Sequence, residues 1–293
     1  MASHFLTQDT KGGPTDIRAQ AEKAERFRQL HQGPQILVLA NVWDVTTARL
    51  VEEAGFRAIA TSSAAVANSC GYPDGQRISR AEMLSVVERI ARHVQLPVSA
   101  DLEAGYGGTE EAVTELAHAM IAAGAVGLNF EDATGDARNP LFPVEQQRER
   151  IQRLREVTSS LHVPVVINAR TDVYLAEVGE PETRFEHAVR RINSYRQAGA
   201  DCLFVPGVRD GEVIGRLVKA VEGPLNILAG PGTPSVTELA RLGVARVSFG
   251  SAPYRAAMGW FRKFLQEVRE PEALAALAEH VIPYSELNKL LES

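Results

Sequence analysis

Acidic residues crowd three short stretches of the chain: Asp101-Leu-Glu103, Glu131-Asp132 and Arg170-Thr-Asp172. Each stretch closes an apolar, β-branched run. Carboxylates brought together repel one another unless a cation or an arginine lies among them. The set contains no His or Cys, so its donors are hard oxygens, which suit Mg²⁺ or Mn²⁺. Mg²⁺ keeps several waters and takes only one or two carboxylates directly. Arg170 is the single base among these acids. Its planar fork suits a substrate carboxylate or phosphoryl group. Gly105, Gly107 and Gly108 let the backbone come close to a ligand. Each acid alone has a plainer use as the cap of a following helix, and Asp132 and Asp172 could do only that or pair with Arg170. What points to a site is that they occur together.

The elements that must position these residues are legible in the chain. Apolar runs recur at 35–40, 58–61, 98–101, 125–130, 165–168, 202–205, 225–228 and 246–249, with helical patterns between them. Near-continuous apolar character means burial on both faces, as in a parallel sheet. Gly55, Gly124, Gly199 and Gly243 each end a helical pattern just before a run, and Pro97, Pro164 and Pro224 open others. Eight such units predict an α/β fold, a (β/α)8 TIM barrel. A doubly wound sheet would need a Gly-rich phosphate turn after the first strand, and Asn41-Val-Trp43-Asp44 is not one. Barrel active sites lie at the C-terminal strand ends. Those ends carry Asn41, Trp43 and Asp44, then Thr61, Ser62 and Ser63, then the acids, then Pro206-Gly207 and Gly250-Ser251. Trp43 could be core, and Ser62-Ser63 could cap a helix whose N–H groups still cradle an anion. The chain divides into an N-terminal helical extension (1–33, with Ile17, Ala21, Ala24 and Phe27 at helical spacing), the barrel (34–265) and C-terminal helices (266–293). The stripe Leu274, Leu277, Val281 and Ile282 is expected to pack on the barrel or on a partner subunit.

Composition removes several classes. Of 293 residues 45% are hydrophobic, and the net charge is −6. No basic face exists for nucleic acid, no phosphate-binding Gly-x-x-x-x-Gly-Lys loop occurs, and no apolar run reaches membrane length. The N-terminus has no basic region followed by an apolar stretch, and the only cysteines are Cys70 and Cys202, so a cytoplasmic location is expected. Cys202 reads as a buried strand residue and Cys70 as a loop thiol with no partner nearby. No two of the seven histidines stand at a metal-ligand spacing.

Five motifs in register, from about Gln35 to Trp260, resemble the isocitrate lyase/phosphoenolpyruvate mutase superfamily, especially its small α-oxo-acid-binding members. They are Asn-Val-Trp43-Asp44, Thr-Ser62-Ser63-Ala64, Asp101-Leu-Glu103-Ala-Gly-Tyr-Gly, Asn-Phe-Glu131-Asp132 and Asn-Ala-Arg170-Thr-Asp172. The resemblance implies a barrel whose last helix is swapped between subunits of a homotetramer, built as a dimer of dimers. It implies Mg²⁺ (or Mn²⁺) held directly by Asp101, with Glu103, Glu131 and Asp74 holding its water shell. Arg170 would bind the carboxylate or phosphonate of a small 2-oxo substrate. Ser62, Ser63 and Ala64 would line the α-oxo acid pocket with Trp43 and Asp44 beside them; independently of the resemblance, the strand-end loops place Pro206-Gly207 at its distal part. Asp101, Glu131, Arg170 and Asn139 would carry the reaction. One departure matters: the loop after strand 4 lacks the Lys-Lys-Cys-Gly-His motif of isocitrate and methylisocitrate lyases, offering only Arg138 and Asn139. The expected activity is therefore a Mg²⁺-dependent C–C lyase or decarboxylase acting on a small 2-oxo or 2-hydroxy (di)carboxylate. The alternatives are a P–C bond enzyme (phosphonopyruvate hydrolase or phosphoenolpyruvate mutase-like) and a non-catalytic α-oxo acid binder.

Overall fold

The computed structural model describes residues 16–269 and 281–292. Strands β1 (Leu37–Val42), β2 (Ile59–Thr61), β3 (Val98–Asp101), β4 (Gly127–Glu131), β5 (Val166–Arg170), β6 (Cys202–Phe204), β7 (Leu225–Leu228) and β8 (Arg246–Ser248) form one closed barrel. Every neighbouring pair is parallel, and β8 closes on β1. All eight expected runs are strands. The first is shifted two residues along, because pairing to both neighbours fixes it: Leu37 opposite Arg246 and Val42 opposite Thr61. The four glycines read as helix ends all have positive φ, from 78° to 111°.

Helices surround the barrel: α1 (Ile17–Leu30), α2 (Val45–Glu53), α3 (Ser63–Ser69), α4 (Arg80–His93), α5 (Glu110–Ala122), α6 (Val144–Ser160), α7 (Arg184–Gln197), α8 (Gly211–Ala220), α9 (Val236–Leu242), α10 (Ala252–Glu267) and α11 (Tyr284–Glu292). Among the described residues no helix is long and apolar enough to cross a membrane.

The floor of the barrel is closed by α1, which buries Ala24 and Phe27 as expected. Ile17 stays 43% exposed, and the anchor at that end is instead Gln20. Its Nε2 donates to the carbonyls of Ile121 (2.9 Å) and Ala125 (3.0 Å). Phe27 reaches so far in that a Cβ on Gly127 would lie 2.6 Å from its ring, which explains a glycine at the start of β4.

Beside Phe27 lies buried His31. A carbonyl only accepts, so Nδ1 carries the hydrogen and donates to Phe27 O at 2.8 Å, while Nε2 faces Arg246 Nη1 at 3.4 Å. Burial, and then the Arg246 charge, push the His31 pKa down to about 3. In the unfolded chain the ring takes a proton near its ordinary value of about 6.5. Stability is therefore full above that value and is lost as pH falls from it toward 3, because protons then favour the unfolded state. Urea unfolding of wild type and His31→Gln checks this. The wild type should lose about 2 kcal/mol more than the variant between pH 7 and pH 5.

The end of the chain is less covered. In α10 no residue is buried, and Met258, Trp260, Phe261 and Leu265 are 43–47% exposed. Helix α11 lies against α2, where Arg49 Nε donates to Leu290 O at 3.0 Å. Of the expected C-terminal stripe, Val281 and Ile282 are exposed, and Leu274 and Leu277 lie outside the described residues.

Candidate active site

A cavity of about 190 Å³ opens at the C-terminal strand ends. Ser62, Ser63 and Ala64 line it where β2 passes into α3, together with Asp74, Asp101 from β3 and Arg170 from β5. Asn41 and Asn129 lie among them, and Leu175, Phe204, Pro206 and Leu228 line the rest with Ser248, Gly250 and Ser251.

Asp101 is fixed on both carboxylate oxygens. Oδ2 accepts from the Ser63 N–H (2.9 Å) and hydroxyl (2.8 Å), and Oδ1 accepts from Asn129 Nδ2 (3.2 Å). Asn129 Oδ1 accepts in turn from Asn168 Nδ2 (2.7 Å) and Arg246 Nη2 (3.4 Å), so a polar column runs from the barrel floor to Asp101. The Ser63 N–H, read as part of an anion cradle, is thus used on the chain's own carboxylate. Ser62 caps α3, accepting from the Ala65 N–H at 3.3 Å.

Glu103 follows in a left-handed conformation, φ 51°, which is strained for a residue with a Cβ. Its Oε2 accepts from the Gln76 N–H at 2.7 Å, while its buried Oε1 has no hydrogen-bond partner among the described residues. Burial, then the charges of Asp101 and Asp74, push the Glu103 pKa up to about 7. Gln76 ties the Asp74 loop to this one by accepting from the Tyr106 N–H at 2.7 Å.

Glu131 ends β4 and pairs with Arg170 Nη1 at 2.7 Å. Burial raises its pKa well above the usual carboxylate range in spite of that arginine. Arg170 Nε and Nη2 donate to the two oxygens of Asp172 at 2.5 and 2.8 Å. The fork read as a substrate clamp is therefore already closed on Asp172, and only its remaining N–H groups are free for the cavity. Burial opposes the Arg170 charge, but Glu131 and Asp172 outweigh it and hold its pKa up.

Two supports of this rim were not apparent from the sequence. Asp132 is fully buried and faces away from the cavity; it accepts from Thr171 Oγ1 (2.7 Å), the Asp172 N–H (3.0 Å), Arg191 Nε (2.7 Å) and Tyr195 OH (2.8 Å). It is a scaffold for Asp172 rather than a helix cap. On α6, Gln147 Nε2 donates to Glu131 O at 3.0 Å, and buried Arg150 donates to Gln147 Oε1 (2.5 Å), to Gly107 O (2.9 Å) and to Ala104 O. The Arg150 guanidinium also packs on the rings of Phe130 and Phe142. Polar residues at 147 and 150 within the apolar stripe of α6 were the available signal.

Six expected residues do not line the cavity: Glu103 and Glu131, whose carboxylates are held as described above, and four others. Trp43 packs on Tyr254 of α10, with ring centroids 5.2 Å apart. The Asp44 carboxylate turns back to cap α2, accepting from the Thr47 N–H (2.7 Å) and hydroxyl (2.8 Å). Gly207 stands behind the wall, where a Cβ would be 3.1 Å from Tyr174 Cβ. Asn139 is exposed on a hairpin closed by the Ala133–Leu141 bridge; its N–H donates to Asp136 O at 3.1 Å. Position at a strand end put these residues at the rim, but local caps and packing turn them elsewhere.

The residues fit a hard divalent cation by donor chemistry. Asp74, Asp101 and Glu103 offer only oxygens and repel one another, and one buried carboxylate oxygen is unpartnered. Among the described residues no three of these acids already converge as a finished ligand set.

Residues 27–269 match the phosphoenolpyruvate phosphomutase family. The chain belongs to that family. It is 32% identical to the uncharacterized protein Rv1998c of Mycobacterium tuberculosis (strain ATCC 25618 / H37Rv), over 90% of this chain and 95% of that one. It is also 32% identical to the oxaloacetate decarboxylase of Pseudomonas putida (strain GB-1), over 79% of this chain and 80% of the other. A solved phosphonopyruvate hydrolase in complex with oxalate and Mg²⁺ superposes with TM-score 0.81 at 25% identity, covering 92% of this chain and 94% of that one. The family thus sits within the isocitrate lyase/phosphoenolpyruvate mutase superfamily, as the five motifs implied. Decarboxylation and P–C hydrolysis both occur on this fold among these relatives.

Proposed function

We propose that the protein is a Mg²⁺-dependent C–C lyase or decarboxylase acting on a small 2-oxo or 2-hydroxy carboxylate. The observation that carries this reading is the acidic lining of the cavity by Asp74 and Asp101, with Glu103, two residues after Asp101, keeping an unpartnered buried oxygen. Asp101 would hold the cation, with Asp74, Glu103 and Glu131 around its waters. A divalent cation bound there supplies positive charge against the oxyanion that develops when the bond beyond C3 breaks. Ser63 and Asn129 hold the Asp101 carboxylate in one orientation, so little reorganisation is needed at the moment of reaction. Arg170, locked by Asp172 and Glu131, presents a fixed charge to the substrate carboxylate. The relatives support the reaction class, since an oxaloacetate decarboxylase shares 32% identity.

The test is a Mg²⁺-supplemented panel of oxaloacetate, methylisocitrate, dimethylmalate, the monocarboxylate 4-hydroxy-2-oxopentanoate and phosphonopyruvate, with pyruvate and phosphate both measured. A 2-oxo acid product above about 1 s⁻¹, abolished by chelator, is expected from at least one carbon substrate. Phosphate release alone would move the assignment to P–C chemistry.

The exposed apolar side chains of α10 support a homo-oligomer in which a second copy covers Met258, Trp260, Phe261 and Leu265. Light scattering should give a mass of two or four chains. A monomer of 31.8 kDa would contradict it.

A further inference from the structure

We infer that the cavity selects a 2-oxo acid with one carboxylate and an uncharged tail. This rests on the reading of the cavity as a 2-oxo acid site. The cavity has two unlike kinds of lining. Asp74 and Asp101 are acidic; Leu175, Phe204, Pro206 and Leu228 are apolar, with the neutral hydroxyls of Ser248 and Ser251, and Arg170 stands over the Phe204 ring, 5.9 Å from its centroid.

A second carboxylate on the tail would have to leave water and find a cation or several N–H donors. The apolar side chains offer no N–H, and the one cation beside them is Arg170. Among the described residues Arg170 is the sole cation lining the cavity; one N–H each on its Nε, Nη1 and Nη2 is taken by Asp172 and Glu131, and what remains serves the carboxylate of the 2-oxo acid head. Among the described residues no other base lines the cavity. Arg138 is exposed on the hairpin, and the Arg209 stem lies near Gly232, 3.7 Å from where its Cβ would be. Asp74 and Asp101 would also repel added negative charge.

The apolar wall is tightly built. Gly207 lets the end of β6 come up against the Tyr174–Leu175 backbone, where a Cβ would be 3.3 Å from Leu175 N. Leu175 itself is 47% exposed at the rim, where a short alkyl or hydroxyalkyl tail would cover it. For a tail with a hydroxyl on C4, the C3–C4 bond breaks with its electrons left as the pyruvate enolate while the C4 hydroxyl gives its proton to solvent and becomes the carbonyl of an uncharged aldehyde or ketone; no CO₂ is lost, and a phosphonate is disfavoured.

The test compares two acids of equal length. 2-Oxopentanoate and 2-oxoglutarate differ only in ending on a methyl or a carboxylate. Each is titrated calorimetrically into the full-length protein with Mg²⁺, with oxalate as the tail-free probe. Oxalate should bind, and 2-oxopentanoate should bind at least tenfold more tightly than 2-oxoglutarate. In Leu228→Arg the preference should reverse or vanish while oxalate binding persists. Oxalate binding with 2-oxoglutarate equal or tighter in the wild type overturns the tail assignment and leaves the 2-oxo acid reading intact. Failure of oxalate to bind overturns both.

Discussion

Asp101→Ala is expected to lose at least about 10³-fold in Mg²⁺-dependent turnover while remaining folded. Asp101 is the one acid of the rim that both lines the cavity and has each oxygen oriented by a neighbour, through Ser63 and Asn129. Removing it takes away the proposed cation holder, and the Ser63 and Asn129 donors can turn to water in the opened cavity. Asn129→Ala should be milder, about 10- to 100-fold, because it releases one oxygen of a carboxylate that Ser63 still holds. Steady-state rates on whichever carbon substrate is turned over, with circular dichroism as the folding control, decide the matter. Unchanged turnover in Asp101→Ala would remove the acidic lining from the mechanism.

The largest stability effect is expected at a residue that never meets the substrate. Asp132→Ala should cost about 3–5 kcal/mol in urea unfolding. Asp132 is fully buried and accepts from four groups on β5's exit loop and α7. Its loss leaves Arg191 with an uncompensated charge at a buried position, which costs more than the net worth of the pair. The Asp172 N–H also loses its anchor, so the residue that clamps Arg170 is freed. Activity should therefore fall along with stability. A cost below about 1 kcal/mol would show that Arg191 finds another partner.

The barrel was legible because its strands are buried on both faces and so read as short unbroken apolar runs, each bounded by glycine or proline. Asp101, Glu103, Glu131 and Arg170 were legible because a barrel exposes chemistry where strands end. What stayed hidden are partnerships across long sequence separations. Gln147 reaches back to Glu131 and Arg150 to Gly107, while Asp132 waits for Arg191 and Tyr195 on α7, beyond both α6 and β5. Nothing in the neighbourhood of Asp132 distinguishes a scaffold from a ligand or a cap. Asp44 failed for the opposite reason: its partner, Thr47, stands three residues away, and the local cap outcompetes any role at the rim. The Arg170 fork shows how near neighbours alter a role, since Asp172, two residues on, takes the two N–H groups that would face a substrate.

The central claim is that the acids at the ends of β3 and β4 hold a divalent cation on which a 2-oxo acid depends. Titration of Mn²⁺ into the protein, followed by loss of the free-ion paramagnetic resonance signal with and without oxalate, tests it most directly. One saturable site per chain is predicted. Mg²⁺ should compete for it, oxalate should tighten it, and oxalate affinity should rise by the same factor when Mn²⁺ is present. Absence of saturable Mn²⁺ binding, or binding that oxalate leaves unchanged, would contradict the claim.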